Sequence, residues 1–318
     1  MVDIIPEKME ALRLHRPGGP EALALEMVGT PRPGRGDVLV RVHAAAITRD
    51  ELSWPVDRLP AIPSYELSGV AVAAGPEVRG SVVGQEVFGL TGFDRDGVAA
   101  GFAAVPARIL APKPAMMGHV EAAAIPLAGL TAWQALFVHG RLEQGQRVLI
   151  IGAAGGVGHL AVQLSRWRGA HVTGTTSRDA ADLVRAAGAD RVLDRTQVLE
   201  SAVEPVDLVL DTVGGDALAG SAALVRPGGR VVSVAEEPPE AFGAAPLEAS
   251  YFVVEPNREQ LEELAGLADR GALRPAIDSV FALAEGRAAF ERSLAPGKRG
   301  KVVLRVAEDP EVEGGADD

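Results

Sequence analysis

Residues 148–158 carry the sequence VLIIGAAGGVG, in which four apolar residues run directly into a glycine-rich turn. The spacing within the turn is Ala153-x-Gly155-x-x-Gly158, so an alanine replaces the first glycine of the usual three-glycine pattern. Glycines let the backbone turn sharply and approach a pyrophosphate, and a following helix offers free N–H groups and a positive dipole end. We predict a dinucleotide-binding loop with phosphate contacts at Ala154, Gly155, Gly156 and Val157. The alternative is a glycine-rich turn with a purely structural role.

The neighbouring segments favour the dinucleotide-binding interpretation, because a strand precedes the turn, a helix follows it and a second strand lies about twenty residues further on. That second strand ends in TTSRD, residues 175–179. An NAD site has Asp or Glu at this end, to accept a hydrogen bond from the ribose 2′-hydroxyl. Thr176 stands there instead, and Ser177 and Arg178 offer a hydroxyl and a guanidinium to a 2′-phosphate. NADP(H) is therefore the predicted cofactor.

Two alternatives stay open for this turn. Ser177 also fits the N-cap position of the next helix, and Arg178 also fits a solvated surface. Asp179 supplies an acid two to three residues late, which would favour NAD(H) if its carboxylate reached the ribose.

The two halves of the chain differ in their hydrophobic patterns. Short strands separated by Gly- and Pro-containing turns, at 38–42, 68–74, 85–89 and 102–106, indicate a small barrel or bent sheet. From about residue 120, strands and helices alternate, which predicts a parallel, doubly wound sheet. After residue 255 we expect helices at 258–270 and 287–294 and a strand at 301–306 that pack back onto the first domain.

Composition excludes several classes of function. The chain has 318 residues, which suits two domains, and a net charge of −12, which disfavours binding to nucleic acid or an anionic membrane. It contains no cysteine, which excludes disulfides, thiol nucleophiles and thiolate zinc sites. We find no signal-peptide pattern and no apolar run long enough to span a bilayer, so a cytoplasmic location is expected.

With these residues in view, the chain resembles the zinc-independent quinone oxidoreductase branch of the medium-chain dehydrogenase/reductase superfamily. The resemblance extends from about residue 10 to residue 306. Its motifs are specific for the family and uninformative about the substrate: HRPGGPE at 15–21, AGLTAW at 128–133, GAAGGVG at 152–158, DTVGG at 211–215, RPGGR at 226–230 and GKVVL at 300–304.

The resemblance implies an α/β protein with a GroES-like β-rich catalytic domain and a Rossmann domain. We assign residues 1–122 to the catalytic domain, 123–254 to the NADP-binding Rossmann domain and 255–306 to a return to the catalytic domain. Residues 307–318 are acidic and predicted to be a disordered tail. The resemblance also implies a homodimer formed through the Rossmann domain. It implies further cofactor contacts at Arg49, Val213, Val234, Phe252 and Val254.

The zinc-dependent relatives place their catalytic metal ligands at positions that match Thr48, Tyr65 and Leu127. A leucine and a threonine cannot complete a tetrahedral zinc site, so no metal is expected. Nearer relatives often carry a tyrosine close to the position of Arg195, and this arginine is either a second cation for the adenosine phosphate or a surface residue. A common Glu-Tyr pair is replaced by Gly101-Phe102, a change for which the sequence offers no explanation.

Without zinc, the natural reaction is hydride transfer to a quinone or an enone, because these acceptors delocalise the developing negative charge. Tyr65 is a candidate donor to the substrate oxygen, or else an aromatic wall of the pocket. Asp50 is a candidate proton relay if it is buried, and otherwise a solvated carboxylate. Thr131 is expected to pack near the nicotinamide. A rival interpretation is a non-redox enzyme or an NADP(H)-sensing protein on the same fold.

Overall fold

Runs of β-branched and other apolar residues form the central strands of two large sheets. The computed structural model describes residues 5–55, 58–197 and 203–308. Within these ranges the strands are β1 (Lys8–Leu14), β2 (Leu23–Gly29), β3 (Asp37–Ile47), β4 (Glu66–Ala74), β5 (Glu86–Leu90), β6 (Phe102–Pro106), β7 (Leu110–Pro112), β8 (Arg147–Ile151), β9 (His171–Thr176), β10 (Arg191–Asp194), β11 (Val206–Asp211), β12 (Val225–Ser233), β13 (Glu248–Tyr251), β14 (Ile277–Ala282) and β15 (Lys301–Arg305).

The described α-helices are α1 (His119–Ala123), α2 (Pro126–Trp133), α3 (Gly156–Trp167), α4 (Ala181–Ala186), α5 (Gly215–Ala219), α6 (Arg258–Asp269) and α7 (Gly286–Leu294). The first of them, α1, lies where the sequence pattern changes, near residue 120. Past Trp133, α2 continues as a π-helix, Gln134–His139.

The strands β8 to β13 form one parallel sheet in the order β10-β9-β8-β11-β12-β13. This order reverses at β8, which is the arrangement of a doubly wound dinucleotide-binding domain. The central strands are continuous apolar runs because helices cover both faces of such a sheet. Leu149, Val209 and Val231 are fully buried in its core. The predicted fold class is confirmed.

The β-rich unit contains a two-stranded sheet, β1-β2, and a sheet in the order β14-β15-β3-β4-β5-β7, with β6 paired to β3. In it β3 pairs with three partners, β4, β6 and β15. Register shifts in the β3–β4 ladder, next to Leu39 and Ala44, bend the strands. These irregularities occur in an antiparallel sheet built of short strands, as the sequence predicts.

The two units divide the chain differently from the predicted domains. The β-rich unit comprises residues up to 126, 279–296 and those from 302 onward, and the parallel-sheet unit comprises 127–278 and 297–301. Residues 255–278 thus stay with the parallel sheet instead of returning at 255. The reason is the packing of α6, whose Leu261 and Leu264 are fully buried and whose Gln260 accepts a hydrogen bond from Gln134 at 2.9 Å.

Two further predictions concern the C-terminal tail and membrane-spanning segments. The acidic tail lies, from residue 309 on, outside the described residues. Among the described residues, none of the helices combines the length and the apolar character that crossing a membrane requires.

Candidate functional site

The glycine-rich turn joins β8 to α3, and two of its glycines are needed for its shape. Gly152 has a φ of 82°, in the left-handed region that favours glycine. A β-carbon at Gly158 would overlap the carbonyl oxygen of Gly152 and lie 2.8 Å from the Cα of Ala153. The first turn of α3 therefore packs directly against the end of β8, which is the role of the third glycine in a dinucleotide-binding loop.

The predicted phosphate contacts lie together at the start of α3. Ala154 is buried, Gly155 is the N-cap residue, and Gly156 and Val157 begin the helix. The first N–H groups of a helix have no acceptor within it, and Gly155 has no side chain that could bind them. These donors and the positive end of the helix dipole suit a phosphate. The loop therefore fits the predicted cofactor.

The turn after β9 contains the predicted 2′-phosphate residues. Ser177 occupies the N-cap position of the short 3-10 turn Arg178–Ala180, but its side chain makes no capping hydrogen bond. Its hydroxyl is near enough to the Asp179 carboxyl to help lower the pKa of that group. Arg178 donates through Nε to Oδ2 of Asp194 at 2.6 Å, while 89% of its side chain is exposed. Next to the carboxyl end of β9, Ser177 is thus half-buried and Arg178 lies at the surface.

The Asp194 carboxylate anchors this arginine. Hydrogen bonds from the N–H and hydroxyl of Thr196, followed by the one from Arg178, lower the pKa of Asp194 to about 2. Asp194 is therefore ionised at neutral pH. The next residue, Arg195, is exposed and donates its backbone N–H to the carbonyl oxygen of Thr176 at 2.8 Å. The structure thereby brings both predicted arginines to the same corner of the sheet.

Two more predicted contacts follow the neighbouring strands. Val213, after β11, is 59% exposed, and Val234, after β12, is half-buried. The buried carboxylate of Asp211 fixes this region by accepting from the N–H groups of Val213 and Gly214 and from the Ser233 hydroxyl. Burial raises the pKa of Asp211. Its hydrogen bonds identify it as a structural residue at the carboxyl edge of the sheet.

Of three further predicted contacts, Phe252 and Thr131 have other partners in the structure. The Phe252 ring stacks on His139 at 4.2 Å, and Val254 is buried. Thr131 is buried in α2 and donates its hydroxyl to the carbonyl oxygen of Leu127 at 2.7 Å. This is the usual bond of a helical threonine to the residue four positions earlier. The hydroxyl proton of Thr131 is thus already used within α2, and packing of Thr131 near the nicotinamide stays a prediction.

The segment 297–301 packs against the glycine-rich turn, although sequence analysis gave it no role beyond a family motif. Gly300 donates its N–H to the carbonyl oxygen of Ala154 at 2.9 Å. Lys301 is buried, and its Cδ would lie 2.7 Å from a β-carbon at Gly156. The aliphatic part of this lysine thus covers the beginning of α3. Only the fold could reveal this contact, because the two segments lie about 145 residues apart.

In the β-rich unit, Tyr65 is buried and belongs to an aromatic cluster with the half-buried Trp54 and Phe93. Its ring stacks on Trp54 with 5.9 Å between centroids and meets Phe93 edge-on at 5.1 Å. The preceding residue, Ser64, has a φ of 65°, which is uncommon for a residue with a side chain and concentrates at functional sites. Ser64 is held by its hydroxyl, which donates to Ala46, and by its N–H, which donates to Glu51. Tyr65 is therefore rigidly placed.

Glu51 is a site residue that sequence analysis missed. It is 5% exposed, and its two carboxylate oxygens accept from the N–H groups of Thr48, at 3.0 Å, and Ser64, at 2.9 Å. One buried acid thus ties together the loops that carry Arg49 and Tyr65. The sequence held no signal for this, since Glu51 lies in a polar loop of ordinary composition.

Comparison with known proteins identifies the family. Residues 34–115 match the family described as "Alcohol dehydrogenase GroES-like domain", and residues 187–304 match "Zinc-binding dehydrogenase". The chain is 32% identical to "Probable zinc-binding oxidoreductase, mitochondrial" of Arthroderma benhamiae, over 89% of this chain and 93% of that protein. The chain belongs to the medium-chain dehydrogenase/reductase superfamily.

Two other similarities, to one relative and to one solved structure, indicate the type of reaction. The chain is 31% identical to "NADPH-dependent alkenal/one oxidoreductase, chloroplastic" of Arabidopsis thaliana, over 86% of this chain and 73% of that protein. The structure of the quinone oxidoreductase from Coxiella burnetii superposes with a TM-score of 0.88 at 31% identity, covering 94% of this chain and 99% of that one. The protein is therefore an oxidoreductase that uses a nicotinamide cofactor.

The zinc named in the family description does not fit this medium-chain dehydrogenase/reductase chain. The matching positions carry the side chains of Thr48, Tyr65 and Leu127, none of which is an ordinary zinc ligand. Across residues 5–55, 58–197 and 203–308, no three His, Asp or Glu side chains come together as a group that could hold a metal ion.

The surroundings of two residues predicted near the reaction centre bear on their predicted roles. Asp50 is exposed, as the solvated-carboxylate alternative expects, and the burial that the proton-relay alternative requires is absent from this structure. Arg49 donates to the carbonyl oxygen of Leu294, at the end of α7, at 3.3 Å. A cation at a helix C-terminus is favourable, so this contact accounts for Arg49 without a pyrophosphate.

Proposed function

We propose that this protein is an NADPH-dependent, zinc-free oxidoreductase that reduces quinones, enones or similar activated carbonyl compounds. The observation that carries the proposal is the turn after β9, beside the glycine-rich loop. Thr176 stands there in place of the acid of an NAD site, and Ser177 and Arg178 follow it. The names of the Arabidopsis and Coxiella relatives, an alkenal/one reductase and a quinone oxidoreductase, support the acceptor class.

The cofactor would be held by two groups of residues in the parallel-sheet unit. The N–H groups of Gly156 and Val157 would bind the pyrophosphate, and Ser177, Arg178 and Arg195 would bind the 2′-phosphate. When bound, NADPH supplies a hydride to the acceptor. Tyr65 is the proposed hydrogen-bond donor to the acceptor oxygen, because it replaces a metal ligand of the relatives and is rigidly positioned by Ser64.

Reduction itself is tested by mixing the purified protein and NADPH with a panel of quinones and enones. We expect the absorbance of the reduced nicotinamide band to fall with at least one acceptor. Tight NADPH binding with no oxidation across the whole panel would favour the non-redox alternative. The homodimer and the cytoplasmic location stay predictions, and light scattering of the purified protein tests the first.

The metal prediction follows from Thr48, Tyr65 and Leu127 at the ligand positions. We expect purified protein to contain far less than one zinc per chain, and chelators to leave NADPH oxidation unchanged. Elemental analysis before and after dialysis against a chelator measures this directly. One tightly held zinc per chain would show that other side chains form a metal site.

The 2′-phosphate prediction concerns Arg178. We expect NADPH to bind at least about tenfold more tightly than NADH, because a charge-assisted hydrogen bond contributes about 1.5–3 kcal/mol. Arg178→Ala should remove most of this preference and leave NADH affinity almost unchanged. Fluorescence titration with both cofactors measures the two affinities.

A matched control is Arg185→Ala, which removes an arginine that pairs with Asp182 on the exposed face of α4. It changes the net charge equally and should leave both affinities unchanged. Equal weakening of NADPH and NADH by Arg178→Ala would show that the arginine supports the turn and does not contact the phosphate.

A further inference from the structure

Two arginine–aspartate pairs flank Ser177 at the carboxyl end of β9. Arg178 binds Asp194 at 2.6 Å, and Arg299 binds Asp179 at 2.8 Å. The first pair is formed by residues of the turn and the strand beside it. In the second pair, Asp179 belongs to the turn and Arg299 comes from a distant part of the chain, the segment 297–301.

The carboxylate of Asp179 opposes the binding of a 2′-phosphate at this turn. A free carboxylate so close to Ser177 would repel the phosphate and could accept from a ribose 2′-hydroxyl instead. The neighbouring Ser177 hydroxyl and then the hydrogen bond from Arg299 lower the pKa of Asp179, so its carboxyl is ionised. Arg299 contacts this negative charge directly, at 2.8 Å, and offsets it beside Ser177.

The position of Arg299 is fixed by its backbone. Its N–H donates to the carboxylate of Asp278 at 2.9 Å, and the next residue, Gly300, donates to Ala154 at 2.9 Å. Gly300 has a φ of 77°, and a β-carbon there would lie 2.6 Å from the carbonyl carbon of Ala276. The same segment thus contacts the glycine-rich loop and the turn after β9.

Stability does not explain this ion pair. The side chains of Arg299 and Asp179 are 44% and 61% exposed, and exposed ion pairs contribute little to the stability of a protein. Of the two pairs beside Ser177, this one brings its arginine from a segment about 120 residues away in the sequence.

We infer that Arg299 determines cofactor choice by binding Asp179 and cancelling its charge, so that the turn after β9 accepts a 2′-phosphate. This inference rests on the proposed NADP(H) specificity and adds a selectivity residue from outside the dinucleotide-binding motif. Arg299 acts through Asp179 and is a positioning residue.

The test measures binding of two nucleotides that differ at the 2′ position, adenosine 2′,5′-bisphosphate and adenosine 5′-phosphate, by calorimetry. We expect Arg299→Ala to weaken the bisphosphate about five- to tenfold, on the scale of one uncompensated nearby charge. Affinity for adenosine 5′-phosphate should change less than about twofold. Adding Asp179→Asn to Arg299→Ala should restore most of the lost affinity, because the repelling charge is then gone.

The control is Arg258→Ala, which removes an exposed arginine that pairs with Glu262 on α6 and should leave both affinities unchanged. Failure of Asp179→Asn to restore binding, or equal weakening of both nucleotides, would overturn the inference. If the wild type prefers the bisphosphate and Arg299→Ala shows the same preference, the inference about Arg299 is overturned and the proposed NADP(H) specificity stands. A wild type that does not distinguish the two nucleotides would overturn the proposed NADP(H) specificity as well.

Discussion

Gly158→Ala is expected to weaken NADPH binding about a hundredfold or more and to destabilise the protein even without cofactor. The new β-carbon would overlap the carbonyl oxygen of Gly152 and approach the Cα of Ala153. Both are backbone atoms that no side-chain rotation can move aside, so α3 must shift away from β8. Overpacking of this kind commonly costs about 1–3 kcal/mol, and the displaced N–H groups would no longer point at the phosphates.

Two glycine variants separate the causes of this loss. Gly155→Ala adds a β-carbon 3.3 Å from the Gly152 carbonyl oxygen, a tight contact that a shift of a few tenths of an ångström relieves. It should lower Tm much less than Gly158→Ala does, and still weaken NADPH binding because the β-carbon obstructs the approach of a phosphate to the backbone. Gly220→Ala places its β-carbon in open space and should change neither property.

Thermal unfolding without cofactor, together with NADPH titration, measures both effects. For Gly158→Ala we expect Tm to fall by roughly 2–10 °C. If Gly158→Ala had the stability and NADPH affinity of the wild type, the turn could accommodate a β-carbon at position 158 and the predicted clash would be wrong.

The parts of the fold that follow from local pattern were predictable. β8, the glycine-rich turn and α3 are contiguous, and their apolar run and glycine spacing specify strand, turn and helix directly. The edge strand β13, Glu248–Tyr251, was missed because half of its residues are exposed and its pattern is not apolar. The start of the return to the β-rich unit was placed too early, because an amphipathic helix such as α6 shows which face is buried but not which partner buries it.

The candidate site also contains residues that local sequence pattern could predict and residues that it could not. Ser177 and Arg178 could be predicted because they follow a strand whose end is recognisable. Arg299 could not, since its contact with Asp179 joins residues 120 positions apart. The sequence left two roles open for Asp50, because a carboxylate in a loop carries no sequence signal for burial. The tertiary partners of a charged residue decide its role, and these appear only in the fold.

Tyr65→Phe is the second change with a large expected effect. If the hydroxyl donates a hydrogen bond to the acceptor oxygen, its removal should lower kcat/KM roughly ten- to a thousandfold, as does the loss of one donor to a developing oxyanion. The ring would stay in place, because its contacts with Trp54 and Phe93 involve only the aromatic faces and edges. Cofactor affinity should be nearly unchanged, since the proposed phosphate contacts are all in the parallel-sheet unit.

Tyr65→Leu distinguishes the donor from an aromatic wall. As a wall, Tyr65 would need its ring but not its hydroxyl, so the Phe variant would turn over like the wild type and only the Leu variant would be impaired, mainly through KM. As a donor, both variants would lose kcat to a similar extent, and the Leu variant would lose stability as well. Steady-state kinetics with one quinone and one enone, read beside NADPH titration and thermal unfolding, separates the two roles. Wild-type kcat/KM in Tyr65→Phe would leave Tyr65 with the packing role that its aromatic cluster already explains, and the donor to the acceptor oxygen would then have to be another group.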